Sequence, residues 1–175
     1  MTSNYPPPPP PGPPPGPPPG PGQYGYPGAY PPPGGGPRPG GLGLRFAARV
    51  IDGLIVGVIG GIIVYVIGQS SNVWISGLFT GLLTFIYFVA MEVTQGWTLG
   101  KKLLGLSVHG PAGAAKPDFQ QSAIRNSWTL LPILPFIGGL LGLVAIVVIA
   151  ATIKSSPTKQ GKHDELAGGT QVIKD

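Results

Sequence analysis

From Gly53 to Met91 the chain runs for 39 positions without a charged side chain. The polar run Gln69-Ser70-Ser71-Asn72 splits this stretch into two apolar segments, about 50–68 and 73–91, of 19 residues each. As helices they would span about 28 Å, close to the roughly 30 Å hydrocarbon core of a bilayer. The short polar break suits a tight connection, so the pattern predicts an antiparallel transmembrane hairpin. A third uncharged run, Asn126 to Ile153, is interrupted by Pro132, Pro135 and the pair Gly138-Gly139. It reads either as one kinked span over about 128–153 or as a re-entrant segment. In the second case it starts near Asp118, turns around Pro135–Gly139 and returns as Leu140–Ile153. Asp118 with Gln121 three residues on has the spacing of a capping box, which predicts a helix start there. The fold class expected is an all-α integral membrane protein.

Composition changes the picture at the N-terminus. Residues 1–41 hold 19 of the 24 prolines and 11 of the 30 glycines, with Arg38 as their only charge. Pro6 to Pro11 are consecutive, and Gly-Pro-Pro-Pro repeats follow. Their period of four excludes collagen, in which glycine must recur at every third position. Proline fixes φ and lacks an N–H, so this run is expected to be a polyproline II spacer of about 50 Å. Gln23 to Gly41 has too few aliphatic residues to offset its ordering entropy and is expected to be disordered. The tail reads first as a spacer; the alternative is a docking segment for a proline-recognising cytoplasmic protein. It has no apolar stretch near Met1, so the first apolar segment is expected to direct insertion. Two regions result, a proline/glycine-rich tail over 1–41 and a membrane domain over 42–175.

Charge sets the expected orientation. Arg38, Arg45 and Arg49 precede the first span, Lys101, Lys102, Lys116 and Arg125 follow the second, and the Gln69–Asn72 connection has no charge. Positive residues favour the cytoplasmic side, which places the N-terminal tail and the 92–127 loop there, in a multi-pass protein of the plasma membrane. A re-entrant third segment would put all eleven basic residues inside, whereas a full third span would leave Lys154, Lys159, Lys162 and Lys174 outside. The first arrangement is favoured. Trp74, Trp97 and Trp128 all fall near expected interfaces.

Within the spans, Gly53, Gly57 and Gly61 recur at intervals of four, as do Gly77 and Gly81. Small residues at this spacing let helix backbones approach in lipid. They read mainly as packing within the chain, with homo-oligomer contact as the alternative. Arg45, Arg49 and Asp52 fall on one side of a helix. A carboxylate one turn inside a membrane is costly and functional by default. Arg45 and Arg49 are expected to offset that cost by pairing with it, and a purely structural clamp is an equal reading.

These residues also carry a resemblance. Arg45-Phe-Ala-Ala48 with Ile51-Asp52 resembles the opening signature of the RDD family of bacterial membrane proteins. Gly96-Trp-Thr98-Leu-Gly100-Lys101 through Gly105 is similar to its central motif, and Lys159 to Gly168, with His163-Asp164, to its closing piece. The proline-rich tail lies outside these motifs and resembles tails of actinobacterial members. The resemblance implies that the eponymous charged residues are Arg45, Asp52 and Asp164; Arg49 on the Asp52 side of the helix, Lys101, and His163 beside Asp164 are read from the sequence as supporting residues. It implies a transport-related role, with cation or proton handling at Asp52, and it implies that Asp164 shares a membrane side with Asp52.

Other chemistry is not supported. The chain has no Cys and two His, so disulfides, thiolate centres and multi-histidine metal sites are not expected. Gly96 to Lys102 lacks the spacing and the Ser/Thr of a phosphate loop, and Lys101 is expected at the headgroups. No catalytic triad or carboxylate pair is evident, so no enzyme activity, cofactor or metal is expected. The basic residues do not form a stripe with aromatics, which argues against nucleic acid. The expected partners are the lipid bilayer, a second copy and the proline-recognising protein. A membrane anchor or scaffold recruiting that protein is the alternative function.

Overall fold

The computed structural model describes residues 38–175 apart from Ser70. Of the proline/glycine-rich tail expected over 1–41, residues 1–37, with the polyproline spacer and docking segment, lie outside the described residues. The disorder expected through Gly41 does not hold for the last part of the tail, because Arg38–Pro39 form a strand and the Gly40 N–H donates to the Val172 carbonyl oxygen. Helices α1 (Leu42–Val66) and α2 (Val73–Gln95) form the hairpin, with 25 and 23 residues. At 1.5 Å per residue both are long enough to cross the hydrocarbon core with some tilt. Outward side chains such as Leu54, Val58, Ile62, Tyr65 and Ile86 are exposed and apolar, as lipid contact requires. Asn72 closes the connection by accepting hydrogen bonds from the backbone N–H groups of Trp74 and Ile75, which caps α2. Gly96 ends α2 at φ 75°, a left-handed position that favours glycine. Helix α1 starts eight residues before the apolar segment does, so Arg45, Arg49 and Asp52 stand on one continuous helix.

Beyond α2 come the short helix α3 (Leu99–Leu103), strand β2 (Leu106–His109) and helix α4 (Phe119–Asn126). Helix α4 opens with the capping box expected at Asp118 and Gln121. It runs directly into a 3-10 helix, Ser127–Ile133, which breaks at the prolines and turns through Phe136 at φ 64°. Helix α5 (Gly138–Ser155) then returns, at 18 residues the third helix apolar and long enough to cross a membrane. The third segment is therefore a descending 3-10 helix and a returning α-helix.

The glycines divide into two groups. A Cβ at Gly77 would lie 2.6 Å from the Pro132 carbonyl oxygen, and one at Gly81 would lie 2.7 Å from Ile133 Cγ1. These two glycines admit the 3-10 helix against α2, so they pack within the chain as expected. Gly53, Gly57 and Gly61 do not: a Cβ at any of them would meet nothing within 4 Å. The buried stripe of α1 is Arg45, Ala48, Asp52, Val56, Gly60 and Val64. The stripe is set by where α2 and α3 lie, which turns those three glycines outward.

A small sheet completes the fold. Strands β1 (Arg38–Pro39), β2 and β3 (Gln171–Lys174) pair antiparallel in the order β1-β3-β2, with Pro39 opposite Ile173 and Val108 opposite Val172. Leu106, Val108 and Val172 bury their side chains against Ala48 of α1. A last short helix, α6 (Lys162–Leu166), sits between α5 and β3. The sheet joins the entry to α1, the segment after α2 and the end of the chain, so all three share one end of the molecule. The opposite end holds the Gln69–Asn72 connection and the Leu134–Ile137 turn, which carry no Lys or Arg.

The absence of native Cys makes this arrangement directly testable. In sealed vesicles, single Cys variants Ser71→Cys and Ile137→Cys are expected to react with an impermeant maleimide from one face. Glu165→Cys should react only from the other. Reaction of Ile137→Cys and Glu165→Cys from the same face would contradict the returning third segment.

Candidate functional site

Asp52 of α1, Glu92 of α2 and Asp164 of α6 are each fully buried at the sheet end of the helices. Water cannot solvate them there, so their charges depend on protein donors. Every neighbouring segment supplies some.

Asp164 is held by two arginines. Arg45 Nη1 donates to Oδ2 at 2.9 Å, and Arg125 Nη1 lies 2.8 Å from Oδ1. The backbone N–H of Gly161 adds a bond to Oδ2 at 3.0 Å, and Thr170 Oγ1 one to Oδ1 at 3.3 Å. Gly168 and Gly169, both at positive φ, turn the chain so that Thr170 comes back to Asp164. Burial alone would raise this carboxyl's pKa, but Arg125, His163 and Arg45 together outweigh it and hold the group well below the usual carboxylate range.

Arg125 links this centre to the next. Its Nε lies 3.7 Å from Glu92 Oε1, while Lys101 Nζ donates to the same oxygen at 2.5 Å. Ser122 Oγ and Asn126 Nδ2 donate to Oε2 at 3.0 and 2.9 Å. Ser122, Arg125 and Asn126 are one face of α4, spaced by three and four residues. Lys101 is thus buried against Glu92, not placed at the headgroups as its sequence position implied. Burial lowers its pKa to about 8, an effect Arg125 reinforces and Glu92 partly opposes.

Asp52 differs in kind. Tyr87 donates its hydroxyl to Oδ1 at 2.7 Å, Thr98 donates to Oδ2 at 2.5 Å, and the backbone N–H of Gly100 donates to Oδ1 at 2.7 Å. The Gly100 approach needs glycine, because a Cβ there would collide with the Ala48 carbonyl oxygen. Among the described residues no cationic side chain lies within 4 Å of Asp52. This corrects the expected pairing with Arg45 and Arg49. Arg45 is drawn to Asp164, and it also donates to the carbonyl oxygens of Gly40 and Val172. Arg49 stacks on rings: its guanidinium carbon lies 3.6 Å from the Phe88 centroid and 4.4 Å from that of Trp128.

A cavity of about 130 Å³ lies beside the cluster, lined by Arg49, Asp52, Phe88, Trp128, Ile146 and His163 among others. His163 Nε2 is 3.6 Å from Asp164 Oδ1, and its Nδ1 is buried without a hydrogen-bond partner among the described residues. Burial, reinforced by Arg125 and Arg45 against the pull of Asp164, lowers its pKa to about 4. Among the described residues no three His, Asp or Glu side chains are grouped to hold a metal ion.

The structure thus brings Arg45, Asp52, Asp164, Lys101 and His163 to one end of the molecule, with Arg49 beside them. Glu92, Tyr87, Thr98, Ser122 and Thr170 are the partners that sequence reasoning missed, along with the bridging role of Arg125. Glu92 did carry a signal, since it is the first charge after the 39 uncharged positions.

The His163 environment yields a pH dependence. The unfolded ring titrates near 6.5 and the folded one near 4, so below pH 6.5 the unfolded state binds more protons. Stability in detergent is expected to be full above pH 6.5 and to fall as the pH drops toward 4. A His163→Phe variant should show a flatter melting temperature over that window. An equal slope in both proteins would contradict the buried neutral ring.

Comparison with curated proteins and with solved structures gives no match. The RDD family profile matches residues 39–168, which contain every carboxylate and arginine of the cluster. This span begins at β1 and ends at the Gly168 turn that follows Asp164, and it covers most of the chain; the protein belongs to the RDD family.

Proposed function

We propose that this membrane protein is transport-related and that Asp52 is its proton- or cation-handling group. The observation that carries this reading is the contrast among the three buried carboxylates. Glu92 and Asp164 are locked by cations, while Asp52 has only hydroxyl and amide donors and borders the cavity. A carboxylate with no cation in direct contact can exchange its proton or a small cation without dismantling an ion pair. Tyr87 is half-buried, donates its hydroxyl to Asp52 and accepts from the backbone N–H of Leu99, and we assign that hydroxyl as the group that passes the proton to or from Asp52. Arg45 and Asp164 act in this scheme as the clamp that fixes α1 and not as exchanging groups. The sheet end is taken as the cytoplasmic face of the plasma membrane, because every Lys and Arg lies toward it.

A second reading has one observation in its favour. Strand β1 anchors Arg38 and Pro39 to the sheet, so whatever precedes them is tethered to a fixed platform. That suits a membrane scaffold recruiting a soluble partner through its proline-rich tail.

Proteoliposomes holding a pH-sensitive dye separate the two. Imposed Na⁺, K⁺ or Li⁺ gradients are expected to drive proton movement above the protein-free background. Asp52→Asn should reduce it to that background and Tyr87→Phe should slow it, with melting behaviour retained. Undiminished flux in folded Asp52→Asn would overturn the proposal.

A further inference from the structure

Four cations surround the cluster, Arg45, Arg49, Lys101 and Arg125, against the three carboxylates Asp52, Glu92 and Asp164. The cations exceed the carboxylates by one. Three of the cations share Glu92 and Asp164, which leaves Arg49 and Asp52 as an electrostatically coupled pair with no ion pair within 4 Å. Arg45, Lys101 and Arg125 are committed to carboxylates within 4 Å. Arg49 makes no ion pair or hydrogen bond among the described residues and rests between the faces of Phe88 and Trp128. Two aromatic rings hold a guanidinium in place without satisfying its five N–H donors.

Arg49 lines the cavity together with Arg45, Lys101 and Arg125, while Phe46 of α1 and Ile146 of α5 are among its apolar lining residues. Its one lining acid, Asp52, already accepts three hydrogen bonds. The site therefore combines fixed cations with a hydrocarbon lining. About 130 Å³ admits a phosphate group with a few methylenes and excludes a whole lipid. Phe46 and Ile146 on the rim are 62% and 40% exposed, so the mouth opens on the apolar outer surface of α1 and α5. Arg49 lies two turns into α1 from its sheet end, which is headgroup depth for a helix of this length.

We propose that this cavity binds the phosphate of an anionic membrane phospholipid, with Arg49 as the anion contact and the acyl chains leaving between α1 and α5. A guanidinium offers a phosphate two parallel N–H bonds, a geometry its aromatic stack preserves. The inference goes beyond proton handling at Asp52, and its readout requires no flux.

Trp128 is the natural reporter because it touches Arg49 and lines the cavity. The full chain carrying Trp74→Phe and Trp97→Phe would be reconstituted in phosphatidylcholine vesicles containing brominated phosphatidylglycerol or brominated phosphatidylcholine. The phosphatidylglycerol is expected to quench Trp128 with roughly fivefold higher relative association. Arg49→Gln should bring the two lipids to equality, whereas Arg49→Lys should keep a preference for the anionic one. Equal quenching in the parent, or a preference that survives Arg49→Gln, would overturn the proposal. Loss of the preference to millimolar inorganic phosphate at constant ionic strength would also overturn it, by assigning the site to a soluble anion.

Discussion

A charge buried beside a membrane must be met by donors from the protein, and here three buried carboxylates impose that requirement at one place. Asp164 draws in Arg45 from α1 and Arg125 from α4; Arg125 reaches Glu92 on α2; Glu92 holds Lys101 on α3. The chain of pairs runs through residues far apart in sequence and fixes five helices relative to one another. Removing one partner from such a pair strands the other, at about 3–5 kcal/mol. The apolar helices have no comparable means of choosing neighbours, since lipid solvates their outer faces as well as protein does. The ion-pair chain therefore specifies the arrangement and hydrophobicity specifies only the spans.

The same division explains what could be read in the sequence. The hairpin was legible because a bilayer imposes a local rule, about twenty apolar residues per span, which both segments obey. The capping box at Asp118 and the break near Pro135 were legible for the same reason, being local backbone chemistry. Helical periodicity also placed Arg45 and Asp52 correctly on one face of α1. It could not say that Arg45 would pair 119 positions away with Asp164. An intrahelical partner and a tertiary one compete for the same guanidinium, and only the fold decides. The sheet was hidden on similar grounds. Its first strand is two residues inside a proline- and glycine-rich stretch, and its pairing is wholly long-range. The outward turn of Gly53, Gly57 and Gly61 follows from where α2 and α3 happen to lie, which a glycine interval of four does not encode.

The site that emerges has two characters side by side. Around Asp164 and Glu92, rigid ion pairs hold the helices. Around Asp52 and Arg49, one carboxylate and one guanidinium are positioned by hydroxyls, an amide and aromatic rings without a direct ion pair between them. Both border the same cavity. A rigid frame around groups that keep an open valence is the physical condition for binding something from outside. It is also why proton handling at Asp52 and lipid recognition at Arg49 can be separate functions of one structure.

The central claim is that the Arg45–Asp164 pair ties α1 to the end of the chain as a specific interaction. A double-mutant cycle tests this most directly, with Arg45→Met, Asp164→Asn and the double variant unfolded reversibly in mixed micelles. The account predicts a coupling energy of about 2 kcal/mol or more, within the range found for residues sharing one network. Additive losses, with coupling near zero, would contradict it.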